Sequence, residues 1–265
     1  MRQIHKRLLA SAGFISVAAY TIFFAPRWFF FIFVEVFILL GLNEFLSLAE
    51  KKGVTIHRIL TLTFGALVPF SVFFHSDSVI LMLAMLAVLV MHFKPSLRDQ
   101  ALISTAVMVF GILYVAWFCS YLIKMRYLNH GGWWVFYTIL LVKGGDAGAY
   151  FVGKNYGKIK LIEHISPNKS VEGAVGGFLT TVALSLLSFI YLPHVPFVHL
   201  LVLGILTGLL AQLGDLAESV MKRDAGVKDS GAVPGLGGIL DILDSLILTI
   251  PFIYYYITIV LGEMI

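Results

Sequence analysis

Residues 197–221, FVHLLVLGILTGLLAQLGDLAESVM, decide the fold. From Phe197 to Leu213 the stretch holds no Asp, Glu, Lys or Arg, and then acids arrive at Asp215 and Glu218. A bilayer core about 30 Å thick is crossed by about 20 predominantly apolar residues in helical form. This segment is long enough, and it turns polar only at one end. Comparable runs recur at about 8–25, 28–49, 59–75, 78–93, 101–123, 133–152, 174–192 and 238–262. The expectation is an all-α, polytopic transmembrane helical bundle of about nine spans.

Composition agrees. Of 265 residues, 59% are hydrophobic and 13% charged, with a mean hydropathy of +0.93. A soluble domain carries about 25% charged residues. The spans leave no room for a separate soluble domain, and the formal charge of +4 is too small to point to nucleic acid. The one cysteine, Cys119, excludes an internal disulfide and a thiolate metal cluster, and it reads as a small membrane-embedded side chain. Met1–Arg7 is basic and precedes an apolar run, as in a signal peptide. The small residues Ala10-Ser11-Ala12 open that run instead of closing it, so an uncleaved first span is expected.

Basic residues set the orientation. With a cytoplasmic N-terminus, 15 of the 19 Lys and Arg residues fall on inner segments, including Lys51, Lys52, Arg58, Lys154, Lys158, Lys160, Lys169, Lys222, Arg223 and Lys228. Arg27, Lys124 and Arg126 fall outside, and Lys143 lies within a span. Trp133-Trp134 fits an outer interfacial belt. The chain reads as N-terminal helices (1–125) followed by a C-terminal region (126–265) that bears two polar inner loops, Gly153–Gly173 and Lys222–Gly237.

Charged groups in spans are costly and mark function. Asp215, Glu218, Ser219 and Lys222 lie at i, i+3, i+4 and i+7, on one helical face. Asp241, Asp244 and Ser245 repeat that spacing at the start of the last span. Carboxylates of this kind suit a hard cation such as Mg²⁺, or they serve as caps and salt bridges to Lys222 and Arg223. The loop between the two stripes is rich in glycine and holds Lys222, Arg223, Lys228 and Asp229. Glycines let backbone N–H groups approach phosphate, although no Walker pattern is present. Upstream, Asp146 lies one turn from Lys143, which could simply neutralise it. Ser166-Pro167 predicts a turn, Lys169 is placed to reach an anion, and His164 reads as a loop residue.

Together these residues resemble the phosphatidate cytidylyltransferase (CDP-diacylglycerol synthase) family. Its C-terminal signature is matched by Ser219, Lys222, Arg223, Lys228, Asp229, Gly231, Pro234, Gly235, Gly237, Gly238, Asp241 and Asp244. Asp146-Ala147-Gly148-Ala149-Tyr150 and Ile165-Ser166-Pro167, with Lys169, Glu172 and Gly173, extend the likeness over about 100 residues. The N-terminal spans match only in hydrophobicity. Leu236 and Ile242 stand where many members carry His and Arg, and the Gly231–Pro234 interval is one residue shorter than usual.

The resemblance implies transfer of a cytidylyl group from CTP to phosphatidate at the cytoplasmic face of a bacterial inner membrane. It implies Mg²⁺ on Asp215 and Asp241, with a second cation at Asp244 or Glu218. Lys222, Arg223 and Lys228 would hold the triphosphate, with Asp229 beside them. Asp146, Lys169, Ser219, Gly235, Gly237 and Gly238 would line the substrate site, and a homodimer is allowed for. The rival readings are a CTP-dependent lipid kinase of the polyprenol type and a cation-coupled transporter. The second expects acids at the bilayer midplane between repeated halves, a pattern not visible here.

Overall fold

The computed structural model describes residues 13, 16–71, 74, 76–94, 99–231 and 238–262. After a helical stretch at 16–23 come α1 (Arg27–Lys51), α2 (Arg58–Ser71), α3 (Asp77–Met91), α4 (Ala101–Tyr127) and α5 (Gly131–Tyr156). A hairpin of β1 (Lys160–Ile162) and β2 (Ser166–Ser170) precedes α6 (Val171–Ile190), α7 (Phe197–Asp224) and α8 (Ile239–Val260). Among the described residues six helices, α1 and α4 to α8, are long and apolar enough to cross a membrane. Helices α2 and α3 have 14 and 15 residues. At 1.5 Å per residue they reach about 21–23 Å, short of a full hydrocarbon core. Of the first expected span, 8–25, residues 8–12, 14 and 15 lie outside the described residues.

The all-α expectation holds, since the described chain is almost wholly helical; the Gly153–Gly173 segment adds one small antiparallel hairpin with Lys160 opposite Ser170 and Ile162 opposite Ser166. Two local expectations are corrected. The hairpin's turn falls at 163–165, and Ser166-Pro167 opens β2 instead of turning the chain. In a two-stranded ribbon every strand is an edge, where proline's missing N–H is tolerated. The Pro167 carbonyl accepts from Lys160 Nζ at 2.6 Å. Trp134, expected in the outer belt, is fully buried, whereas Trp133 is exposed.

The chain divides into two compact units. The first is Met1–Lys124 with Met221–Leu243. Its core is the α1 face of Phe30, Val34, Ile38, Leu42 and Phe45. In lipid, small residues at helix contacts permit close packing that hydrophobicity alone does not drive. Any side chain at Gly65 would collide with Leu42, and one at Gly111 with Phe45. The second unit is Met125–Val220 with Asp244–Ile265. Here α5 and α6 meet through small residues, with Gly145 against Thr181, Gly148 against Thr180 and Gly153 against Gly173. Thr181 Oγ1 donates to the carbonyls of Leu141 (3.3 Å) and Gly177 (3.1 Å). That packing of short side chains leaves room for a cavity beside the pair.

Candidate active site

In the second unit a cavity of about 510 Å³ opens beside α5, the hairpin, α6 and α7. Its polar wall includes Asp146, Lys154, Asn168, Lys169, Gln212 and Asp215, and its apolar wall includes Val142, Ala149, Gly177 and Ala211. Lys169 projects from β2 and pairs with Asp215 of α7 at 2.6 Å, both side chains being 29% exposed. The hairpin that was not foreseen is thus what carries Lys169 to the carboxylate. Its base is fixed locally: Ser170 caps α6 by accepting from the Gly173 N–H (3.1 Å), and Glu172 accepts from the N–H groups of Lys158 and Ile159.

Asp146 is paired with Lys143 at 3.2 Å, as the sequence spacing allowed, and accepts from Ser245 Oγ at 3.4 Å. Asp244 is buried and takes the backbone N–H and the hydroxyl of Ser245. It lies within coulombic range of Lys143, Asp215 and Asp146. A side chain at Gly214 would collide with the Asp244 carbonyl, so that glycine is what lets the two backbones meet. Glu218 and Ser219 are buried in this unit.

The first unit holds the other half of the expected residues. Asp241 stands in the first turn of α8 and forms an ion pair with Lys222 of α7. Its Oδ2 accepts from the backbone N–H groups of Gly238 (3.1 Å) and Ser230 (3.2 Å). The Gly238 bond is one half of a capping box, an acid three residues into the helix reaching back to the residue before it. A Cβ at Gly238 would collide with Ser230 Oγ and Asp241 Oδ2, so only glycine fits. Lys222 and Arg223 close the last turn of α7, where cations favour the helix dipole. Lys228, Asp229 and Arg223 are exposed, and Arg223 donates to the Val227 carbonyl at 3.2 Å. Gly235, Gly237 and Leu236 lie outside the described residues.

The sequence reading missed Glu44 of α1. Its carboxylate accepts from Ser230 Oγ (2.8 Å) and from the Leu240 N–H (2.9 Å). No local signal marked it beyond being an acid in the C-terminal half of an apolar helix. As placed, no three His, Cys, Asp or Glu side chains among the described residues form a metal-holding group. Asp215 and Asp241 each face a lysine instead.

The profile of the family described as "Cytidylyltransferase family" matches residues 5–260. The chain belongs to that family. Among the family's curated members, the phosphatidate cytidylyltransferase of Synechocystis sp. is 33% identical over 93% of this chain and 94% of its own. That of Bacillus subtilis is 41% identical over 54% of each chain. That of Haemophilus influenzae is 41% identical over 48% of this chain and 46% of its own. The two higher-identity alignments therefore span about half of each relative, whereas the Synechocystis alignment spans nearly all of it. With six helices fit to cross a bilayer, this cytidylyltransferase-family member is an integral membrane protein.

Proposed function

We propose that this chain transfers a cytidylyl group from CTP to phosphatidate, yielding CDP-diacylglycerol and pyrophosphate. The observation that carries the reading is that the two motif carboxylates, Asp215 and Asp241, each hold a lysine. A lysine so placed can pass to a phosphate when a cation takes over its carboxylate. A phosphate oxygen of phosphatidate attacks the α-phosphorus of CTP, and the bond to the pyrophosphate oxygen breaks. Phosphatidate's phosphate is already a nucleophile near neutral pH, so no strong base is needed. The barrier is that of bringing two polyanions together and releasing a third, which is met by positioning and charge neutralisation.

Lys222, Arg223 and Lys228 bind the triphosphate, and Lys169 neutralises phosphate at the cavity. The hard oxygens of Asp215 and Asp241, with Glu218 one turn from Asp215 and Asp244 within coulombic range of it, fit Mg²⁺ by donor chemistry. When bound, Mg²⁺ would neutralise phosphate oxygens and polarise the α-phosphorus. The mixed lining of the cavity, polar beside Lys169 and apolar beside Val142, suits an amphiphilic substrate.

The orientation we propose has a cytoplasmic N-terminus and nine crossings of a bacterial inner membrane, the shorter α2 and α3 crossing where the bilayer thins around them. Polar contacts within the first unit support it. Thr55 bonds Gln100 (3.2 Å) and Ser104 (2.6 Å), so the chain leaves by α2 and returns by α3 to the same level. At the far ends Asp77 pairs with Lys124. Lys52 pairs with Asp224 at 3.0 Å, joining two segments that the basic residues assign to the cytoplasm. Cysteines at Asn155 and Lys228, both exposed, in a Cys119→Ala background should react with an impermeant maleimide only from the cytoplasmic side. Reaction from outside would reverse the orientation.

The decisive experiment incubates purified protein in detergent with CTP, phosphatidate and Mg²⁺. CDP-diacylglycerol and pyrophosphate are expected. CDP with a newly phosphorylated lipid would replace this reading with the kinase.

A further inference from the structure

Glu44 lies in the N-terminal half, on α1, nearly 200 residues before the groups it touches. Its Oε2 accepts both the Ser230 hydroxyl (2.8 Å) and the Leu240 N–H (2.9 Å). A side chain at Gly231 would collide with its Oε1, so the backbone there also runs against this carboxylate. Every one of these contacts adjoins Asp241. Leu240 is its chain neighbour, and Ser230 donates its own N–H to Asp241 Oδ2 (3.2 Å). The helix start at α8 leaves N–H groups without intrahelical partners. Asp241 takes the one at Gly238, and Glu44 takes the one at Leu240.

We infer that Glu44 is a positioning residue for Asp241, holding that carboxylate and Ser230 in the geometry that receives nucleotide. Among the described residues Glu44 makes no ion pair. Its charge is balanced by a hydroxyl and an amide dipole, which have fixed directions, whereas a lysine could swing away. The nearby cation Arg58 is committed to the next turns of α1, reaching Asn43 Oδ1 (2.6 Å), Ser47 Oγ (3.0 Å) and Glu50 Oε2 (2.6 Å). The half-buried site of Glu44 and its two-point grip make it a brace and not a ligand for substrate. The N-terminal helices, apolar in sequence, thereby contribute a working part to the site.

The inference rests on the cytidylyltransferase reading, and its test separates the two. Full-length protein in detergent is compared as wild type, Glu44→Gln, Glu44→Ala and, as control, Glu50→Gln. Hydrogen exchange without substrate reads the brace directly. Amides within 228–231 and 238–243 should exchange faster in Glu44→Ala, less so in Glu44→Gln, and unchanged in Glu50→Gln. Kinetics should show the CTP KM and the Mg²⁺ midpoint rising about 10-fold in Glu44→Ala, the cost of ordering groups no longer held ready. The phosphatidate KM should stay within about twofold, because Glu44's described partners, Ser230 and Leu240, do not line the cavity. A role confined to folding would lower active enzyme and leave both the CTP KM and the Mg²⁺ midpoint in place. That outcome, or unchanged exchange beside normal wild-type activity, overturns the inference alone. Wild-type protein that makes no CDP-diacylglycerol overturns the functional reading, and with it any nucleotide role for Glu44.

Discussion

Asp215 and Asp241 carry the same side chain, start similar polar stripes and each hold a lysine, yet their surroundings differ. Among the described residues Asp215 has one ion-pair partner, Lys169, supplied by a short hairpin at the edge of a cavity. Asp241 has Lys222 and two backbone N–H groups, with Glu44 bracing the residues on either side. One carboxylate is a group presented to a space; the other is also part of the frame. Removing charge from the first should change chemistry, and removing it from the second should change chemistry and local structure together.

The largest expected effect tests that difference. Asp215→Asn and Asp241→Asn should each lower turnover by about 100-fold or more, the scale of losing a major electrostatic contact in a transition state. Only Asp241→Asn should also lower the unfolding midpoint. The amide keeps only one acceptor, so with its oxygen on the Gly238 and Ser230 N–H groups its NH₂ faces the Lys222 ammonium, donor against donor, at about 1–3 kcal/mol. Equal thermal stability of the two variants in detergent would erase the distinction. An Asp variant with wild-type turnover and an unshifted Mg²⁺ midpoint would leave the site altogether.

The lysines sharpen the comparison next. Lys222→Gln should raise the CTP KM and also loosen Asp241, whereas Lys169→Gln should affect binding with little change in stability. A loss of about 10-fold in each is expected from one fewer charge on phosphate. Activity against CTP and phosphatidate titrations, read beside thermal melts, separates them. Glu218→Gln should be milder than either Asp variant if its buried carboxyl supports Asp215 from behind. Smallest is Ile242→Arg, which restores a residue common in the family. It should alter substrate affinity more than Mg²⁺ dependence, since guanidinium is no ligand for a dication. A large gain in apparent Mg²⁺ affinity would show that the metal residues are misassigned.

Much of this was legible in sequence, and the limits have physical causes. Long apolar runs and one-face acid spacing located α7, α8 and their carboxylates because both signals are local. The Lys143–Asp146 pair followed from spacing alone. The hairpin did not, because a three-residue strand and a five-residue strand carry too few alternations to register. Ser166-Pro167 read as a turn for the same reason: edge status, which makes proline acceptable, is a property of the paired ribbon. Trp134 sits in the interior because α5 is covered on that face, which a belt rule cannot foresee. Glu44 was invisible because its partners stand far along the chain, and hydropathy treats a lone acid near a helix end as ordinary.

The two lysine–carboxylate pairs also make ligand capture an exchange of partners. A dication arriving alone would displace the lysine from its carboxylate, and a triphosphate arriving alone would draw the lysine off its acid. Either alone would leave the ion pair broken with one side of its charge uncompensated. The two arriving together leave none, since the carboxylate goes to the metal and the lysine to the phosphate. Under the function proposed above, each pair would act as a coincidence detector, binding Mg²⁺ and nucleotide far better jointly than singly.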